Sequence, residues 1–257
     1  MSSLVTAPES AASARDRRHA SQLKQDCDAG DAPACVVLGN RKRTQGDSGA
    51  TALFQQACDH GFSDGCAELG LMFELGHEVN VNTDRARSLF KQACNDRSGL
   101  GCSRLAAVLL RDPQSARSEA IGYSEAGCEA GAGLGCVNLG LMYRKGDGLP
   151  KDVQKATELF RKACQLELGA GCRLLGEAYS SGQGTDPDAR GAAAFNMRAC
   201  RLGDAVGCGN AGVNYQRGFG VTADPAKAAQ YYQRACSLGE QRYCALLDRF
   251  RNVALSP

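Results

Sequence analysis

The sequence predicts an all-α chain built as a solenoid of two-helix repeats, and three observations carry that expectation. Fourteen cysteines fall into seven pairs whose members lie eight positions apart: Cys27/Cys35, Cys58/Cys66, Cys94/Cys102, Cys128/Cys136, Cys164/Cys172, Cys200/Cys208 and Cys236/Cys244. The second cysteines recur at intervals of 31, 36, 34, 36, 36 and 36 residues, and a period of that length holding two helical patterns marks a stacked repeat. The 257 residues include no tryptophan, only 6% aromatics and 31 glycines, so the helices must approach closely rather than fill a core with large rings.

From the amino terminus, residues 1–11 read as a disordered segment, because they are small and polar and lack apolar periodicity. The stretch MSSLVTAPESAASARDRRHASQLK has no apolar run of seven or more residues and is not a secretory signal, so an export signal is expected to have been removed ahead of Met1. The solenoid is expected over 12–257. It begins with a polar capping helix over 12–34, and six repeats follow at 35–65, 66–101, 102–135, 136–171, 172–207 and 208–243. A capping helix over 244–257 closes it. The repeat 136–171 shows the design. Cys136, Leu139, Gly140 and Tyr143 take the i, i+3, i+4, i+7 positions of one helix face. KGDGLPKD then breaks the helix, and Ala156, Leu159, Phe160 and Ala163 form the apolar stripe of a second helix that ends at Cys164. The repeat from Cys35 is five residues short and the one from Cys102 two short, and both deficits are expected in turns.

Joining cysteines within each pair leaves none over, whereas joining across repeats strands Cys27 and Cys244. Eight residues of continuous helix would hold the two Cα atoms roughly 12 Å apart, beyond the roughly 7 Å a disulfide allows, so a turn must lie inside each pair. The glycine-rich segments before the second cysteines, such as EAGAGLG before Cys136 and RLGDAVG before Cys208, supply that reversal. Each nine-residue loop so closed stabilises the fold by about 2.5 kcal/mol on the loop-entropy account. Zinc is a poorer reading. Its structural sites need short two-cysteine knuckles, and His19, His60 and His77 stand beside none. No metal or cofactor is therefore expected. Seven disulfides persist only in an oxidising compartment. A net charge of +2 points neither to nucleic acid nor to a strongly acidic substrate, and no stretch of about 18 apolar residues offers a membrane span.

The segment LGLMYRKGDGLPKDVQKATELFRKAC resembles the Sel-one-like repeat, a relative of the tetratricopeptide repeat, and the recurrent cysteine staple resembles that of the Helicobacter cysteine-rich proteins. The match spans roughly 27 to 250. The resemblance implies a right-handed α/α superhelix with a concave groove, and disulfides within each pair. It implies export from a bacterium, periplasmic or secreted. The alternative is the mitochondrial intermembrane space, where an assembly factor of the same family works. It also carries an attribution of penicillin binding with weak β-lactamase activity. A serine hydrolase of that kind needs Ser-x-x-Lys, a second polar motif and Lys-Thr-Gly. SQLK at Ser21 and SLFK at Ser88 match only the first element, at a frequency chance supplies, and neither KTG nor SDN occurs. Catalytic residues are accordingly expected to be none.

The favoured function is binding of a protein or peptide partner, as a monomer, with β-lactam binding and slow hydrolysis as the alternative. By resemblance to tetratricopeptide units, positions just after the aromatic of each first helix should face the groove: Glu74, Leu75, Leu110, Arg111, Arg144, Lys145, Ser180, Ser181, Gln216 and Arg217. Asn138, Asn210 and Asn214 on the same helices could hydrogen-bond a partner's backbone. The arginines and lysine bias that wall towards an acidic partner. Titration of thiols in denaturant without reductant should find about none, and several free thiols would overturn the oxidising-compartment reading.

Overall fold

A computed structural model describes residues 11–113 and 115–254, with side chains described from 19 to 113 and 115 to 247. The segment expected to be disordered thus lies outside the described residues except for Ala11, as do the last three residues of the carboxy-terminal cap. All regular structure among the described residues is helical. In order these helices are α1 (Ala11–Asp28), α2 (Ala32–Gln45), α3 (Ala50–Asp59), α4 (Ser63–Leu75), α5 (Thr83–Asn95), α6 (Gly99–Arg111) and α7 (Arg117–Glu129). They continue with α8 (Gly133–Lys145), α9 (Val153–Gln165), α10 (Gly169–Ser181), α11 (Ala189–Arg201), α12 (Ala205–Arg217), α13 (Pro225–Ser237) and α14 (Gln241–Ala254). The chain forms two compact units, divided between Gly101 and Cys102. In the first, α1 to α5 pack in sequence and α2 also touches α4. In the second, α7 to α14 pack in sequence, and α10 also touches α8 and α12.

The second cysteines mark the repeats but not the helix starts. Cys66, taken as the first residue of the repeat 66–101, instead lies inside α4, which begins three residues earlier at Ser63. Cys35, Cys136, Cys172 and Cys208 likewise stand three residues into α2, α8, α10 and α12. The capping helix expected over 12–34 ends at Asp28, and Ala32 to Ala34 belong to α2. The reason is geometric. A disulfide needs its second cysteine on the face turned towards the preceding helix, and the first turn of the new helix provides that face, whereas the residues at its entry are engaged in the reversal. Cys66 is buried there.

The pairing itself is as expected. Cys27–Cys35, Cys58–Cys66, Cys128–Cys136, Cys164–Cys172, Cys200–Cys208 and Cys236–Cys244 each join the end of one helix to the start of the next, with Cα atoms 4.3 to 4.9 Å apart. Cys94 and Cys102 are disulfide-bonded as well, and no cysteine is free. Helix axes usually lie 8–10 Å apart, so approaches this short need small residues at the crossing. The sequence supplies one immediately before several of the second cysteines. A Cβ on Gly65 would lie 2.6 Å from Ala57 Cβ, and one on Gly101, Gly171 or Gly207 would lie 2.5 Å from Ala93, Ala163 or Ala199. The reversal uses a left-handed residue three positions after the first cysteine. It is glycine at Gly30, Gly61, Gly131, Gly203 and Gly239, but Arg97 and Glu167 adopt the same conformation at φ of 65° and 59°. Phe62 N then donates to Ala57 O at 3.0 Å, taking up a carbonyl at the end of α3.

Inside each repeat a second contact sets the spacing of the two helices. A glycine four residues after the second cysteine receives the ring four residues before the next one. Gly39 lies under Phe54, Gly70 under Phe90, Gly140 under Phe160 and Gly212 under Tyr232, each so close that a Cβ would meet the ring at 2.5 to 2.7 Å. All four rings are fully buried. Two repeats depart from this pairing: Ala106 and Ser124 hold the positions in one, Gly176 and Asn196 in the other.

Second helices start on capping side chains. Asn82, Asp152, Asp188 and Asp224 each accept a hydrogen bond from a backbone N–H in the first turn. The repeat from Cys35 is different. Its deficit does fall in the turn, 46–49, but it also removes the first turn of the second helix, so that α3 has 10 residues where α5 has 13. Helix α3 begins after Gly49, which has no side chain to cap it. Glu78, from the turn after α4, supplies the missing acceptor. Its carboxylate receives the N–H groups of Gly49, Ala50 and Thr51 at 2.7, 3.2 and 2.9 Å. Those bonds, led by the one from Thr51, hold its pKa below the ordinary 4.5. The deficit at Cys102 lies between the end of α6 at Arg111 and the start of α7 at Arg117.

Gly140→Ala should lower the urea midpoint by the equivalent of about 1–3 kcal/mol, because the Phe160 ring has nowhere to retreat, and an unchanged midpoint would refute the ring-on-glycine packing. The Glu78 cap is lost on protonation, so its stabilisation is present above about pH 4.5 and fades as pH falls through the lowered folded value. Thermal melts of the protein and of Glu78→Gln should therefore differ at pH 7 and converge as pH falls below the lowered folded value. A gap independent of pH would show that the carboxylate charge is not what caps α3.

Candidate cleft on the first helices of the second unit

The second unit contains a cleft of about 690 Å³. Its walls come from the ends of three successive first helices: Arg144 of α8, Glu177, Ser180 and Ser181 of α10, and Asn210, Val213, Asn214 and Arg217 of α12. Its floor is formed by Val153, Ala156, Thr157 and Phe160 of α9 and Asn196 of α11. Phe219, in the turn after α12, lines it too and is 40% exposed.

Six of the predicted binding residues, Arg144, Ser180, Ser181, Asn210, Asn214 and Arg217, therefore line one cleft, and the others are placed elsewhere. Lys145 is exposed at the end of α8 and Gln216 at the end of α12, where its Oε1 accepts the Tyr232 hydroxyl at 2.6 Å. Burial pushes that hydroxyl up to about 12, so it stays a neutral donor. Asn138 is buried, and its amide donates to the Ser103 carbonyl at 3.0 Å within the unit. Glu74 lies on α4 of the first unit and Arg111 ends α6; both have interactions of their own.

The expected basic wall is largely balanced. Glu177 pairs with Arg144 at 3.4 Å and with Arg173 at 2.6 Å, and Arg173 reaches Asp204 at 3.3 Å. Arg144 also lies over the Phe160 ring, 5.4 Å from its centre. Arg217 forms no ion pair among the described residues and is exposed. Sequence reasoning overlooked Glu177, which lies four residues after Arg173, the spacing of neighbours on a helix. It also overlooked Asn196, whose signal is its place in the aromatic series Phe54, Phe90, Phe160 and Tyr232.

The Ser-x-x-Lys matches occupy exposed surfaces. Ser21 and Ser88 are open on α1 and α5, and Lys24 is held by Asp28 at 2.9 Å. Among the described residues no helix is long and apolar enough to cross a membrane.

Paired helices joined by short, disulfide-stapled reversals define a disulfide-rich helical-repeat scaffold. The Sel1 repeat model matches residues 63–97, 133–168, 169–204 and 205–240. The chain belongs to the Sel1 repeat family. It is 31% identical over 160 residues to cytochrome c oxidase assembly factor 7 of Xenopus tropicalis, covering 55% of this chain and 68% of that protein. A Sel1 repeat protein from Oxalobacter formigenes superposes with a TM-score of 0.63 at 16% identity, covering 83% of this chain and 86% of that one. Helicobacter pylori cysteine rich protein B is 34% identical, covers 51% of this chain and 93% of its own, and has a TM-score of 0.43. The protective antigen c5321 of uropathogenic Escherichia coli matches 92% of this chain with a TM-score of 0.61 at 24% identity, and the chain spans about half its length.

Proposed function

We propose that the protein is a non-catalytic scaffold that binds a protein or peptide through the face lined by α8, α10 and α12. The observation that carries this is the convergence of side chains from three successive first helices, Arg144, Ser181 and Arg217 among them, on one cleft. Helical repeats present extended surfaces of this kind to partners because each unit adds a few variable side chains to a fixed frame. The name of the Xenopus relative, an assembly factor, supports a role that acts on other proteins. Seven staples suit an oxidising compartment, and the periplasm or the cell exterior fits the bacterial structures that share the fold, with the mitochondrial intermembrane space as the alternative the same relative supports.

A photoreactive phenylalanine analogue placed at Lys145 or Ser180, then irradiated in an extract of the source cells, should crosslink the same partner from both positions. The analogue at Glu158, exposed on α9, should not. Equal capture from Glu158, or none from Lys145 and Ser180, would refute a partner on this face.

A further inference from the structure

Resting on the protein-binding reading above, we infer that the cleft is a pocket for a carboxylate of the bound chain, opened where this repeat gives up the aromatic ring that its neighbours keep. The reason lies in register. Four residues before their cysteines, Phe54, Phe90, Phe160 and Tyr232 fill the space over a glycine. In the repeat between Phe160 and Tyr232, Gly176 is retained but Asn196 replaces the ring, with its Oδ1 only 2.9 Å from where a Cβ on Gly176 would stand. The amide is smaller than the ring, and Gly176 and Asn196 both line the cleft.

The exchange weakens the core at this point. Asn214 donates through Nδ2 to the carbonyl of Phe219 at 3.1 Å, and a carbonyl can only accept, so Asn214 Oδ1 must face Asn196. Asn196 then donates its own Nδ2 to that oxygen at 2.9 Å. The relay ends there, since Asn196 is 7% exposed and its Oδ1 is buried without a partner. A buried acceptor left unpaired is destabilising, and so is the loss of a packed ring. Places where a chain breaks its own packing rule without a structural return are where function is to be sought.

The charge of the walls selects the ligand. Arg144, Glu177 and Arg217 are the charged residues that line the cleft, and Glu177 offsets Arg144 at 3.4 Å. Arg217 is left to face an incoming group, which must be anionic, and a peptide's anion is a carboxylate. Phe160, Val213 and Phe219 give the pocket apolar wall for the rest of the residue. Its volume of about 690 Å³ lies in the range of pockets that take small ligands, roughly 300–1,000 Å³, which leaves room for a carboxylate and the residue that carries it.

The test uses three pools of neutral, BODIPY-labelled, N-acetylated hexapeptides and reads fluorescence anisotropy. One pool carries a single internal glutamate and an amidated end, one a free carboxy terminus and no acidic residue, and one neither carboxylate. At least one carboxylate pool should bind about tenfold or more tightly than the neutral pool, and the tighter of the two identifies the source as side chain or chain end. Arg217→Gln should weaken that binding about tenfold. Asn196→Phe, which restores the ring that other repeats hold, should abolish it while leaving the melting temperature equal or higher. Equal binding of all pools, binding of none, or undiminished binding by Asn196→Phe would overturn the carboxylate pocket. A partner crosslinked from Lys145 equally well in the Asn196→Phe protein would leave the protein-binding reading standing while removing the pocket.

Discussion

In six stapled hairpins the end of one helix and the start of the next bring their cysteine Cα atoms within 5 Å, and the rest of the architecture depends on that approach. Glycine and alanine at the crossing make it sterically possible, and the disulfide makes it permanent. With a larger residue at Gly171, the helices would part and the sulfurs of Cys164 and Cys172 would no longer meet. With the disulfide absent, the two helices would be held by a short turn and a crossing of small residues, which bury little apolar area, together with outlying contacts such as the Arg161–Tyr179 hydrogen bond between α9 and α10. Small residues and staple are thus one device. The chain accepts weak local packing along with a close reversal, and the covalent bond removes the conformational freedom that weak packing could not oppose.

Between staples, the ring-on-glycine contact sets the distance within each repeat by a different means. Here bulk is concentrated in one residue per repeat, Phe54, Phe90, Phe160 or Tyr232, and the opposing helix contributes only backbone. This explains how a chain with 6% aromatics builds buried clusters at all. Each ring rests on the glycine of its own repeat, so its contribution is mainly local, as in other repeat proteins, where stability is close to a sum over neighbours.

The frame was legible in the sequence because its determinants are periodic. Cysteine spacing, the glycine before the second cysteine and the aromatic before the first one recur at the same offsets, and period survives variation in everything else. Period gives no phase, however, which is why repeats counted from Cys66 and its counterparts start one turn into the helices that carry them. The cleft was legible only in part. Arg144 and Arg217 were found by counting from the aromatic of the first helix, yet the same count yielded Lys145 and Gln216, which lie outside it. Adjacency does not decide it: Ser180 and Ser181 both line the cleft, whereas Lys145 beside Arg144 and Gln216 beside Arg217 do not. Asn138 and Asn214 read as partner-facing amides, but both donate to backbone carbonyls within the unit. Polarity alone does not tell whether an amide faces solvent or satisfies a buried carbonyl. The balance of Arg144 by Glu177 crosses from α8 to α10, 33 residues away, and pairings between repeats are invisible to a reading that takes repeats one at a time.

Locality also explains how a pocket can sit in the middle of such a frame. In a single-core globular domain, replacing a central aromatic with asparagine would be felt by every layer around it. In this chain the Cys164–Cys172 and Cys200–Cys208 staples close the hairpins on either side of Asn196, and Phe160 and Tyr232 keep the neighbouring repeats at their normal spacing. The destabilisation from the missing ring is therefore confined to one repeat, and the cavity keeps its shape because its walls are fixed from outside it. A covalently reinforced repeat array can place an unfavourable polar group where recognition needs space, whereas an unstapled array would be prone to open at that repeat first. The staples contribute no chemistry of their own, and what they provide is tolerance for a defect with a use.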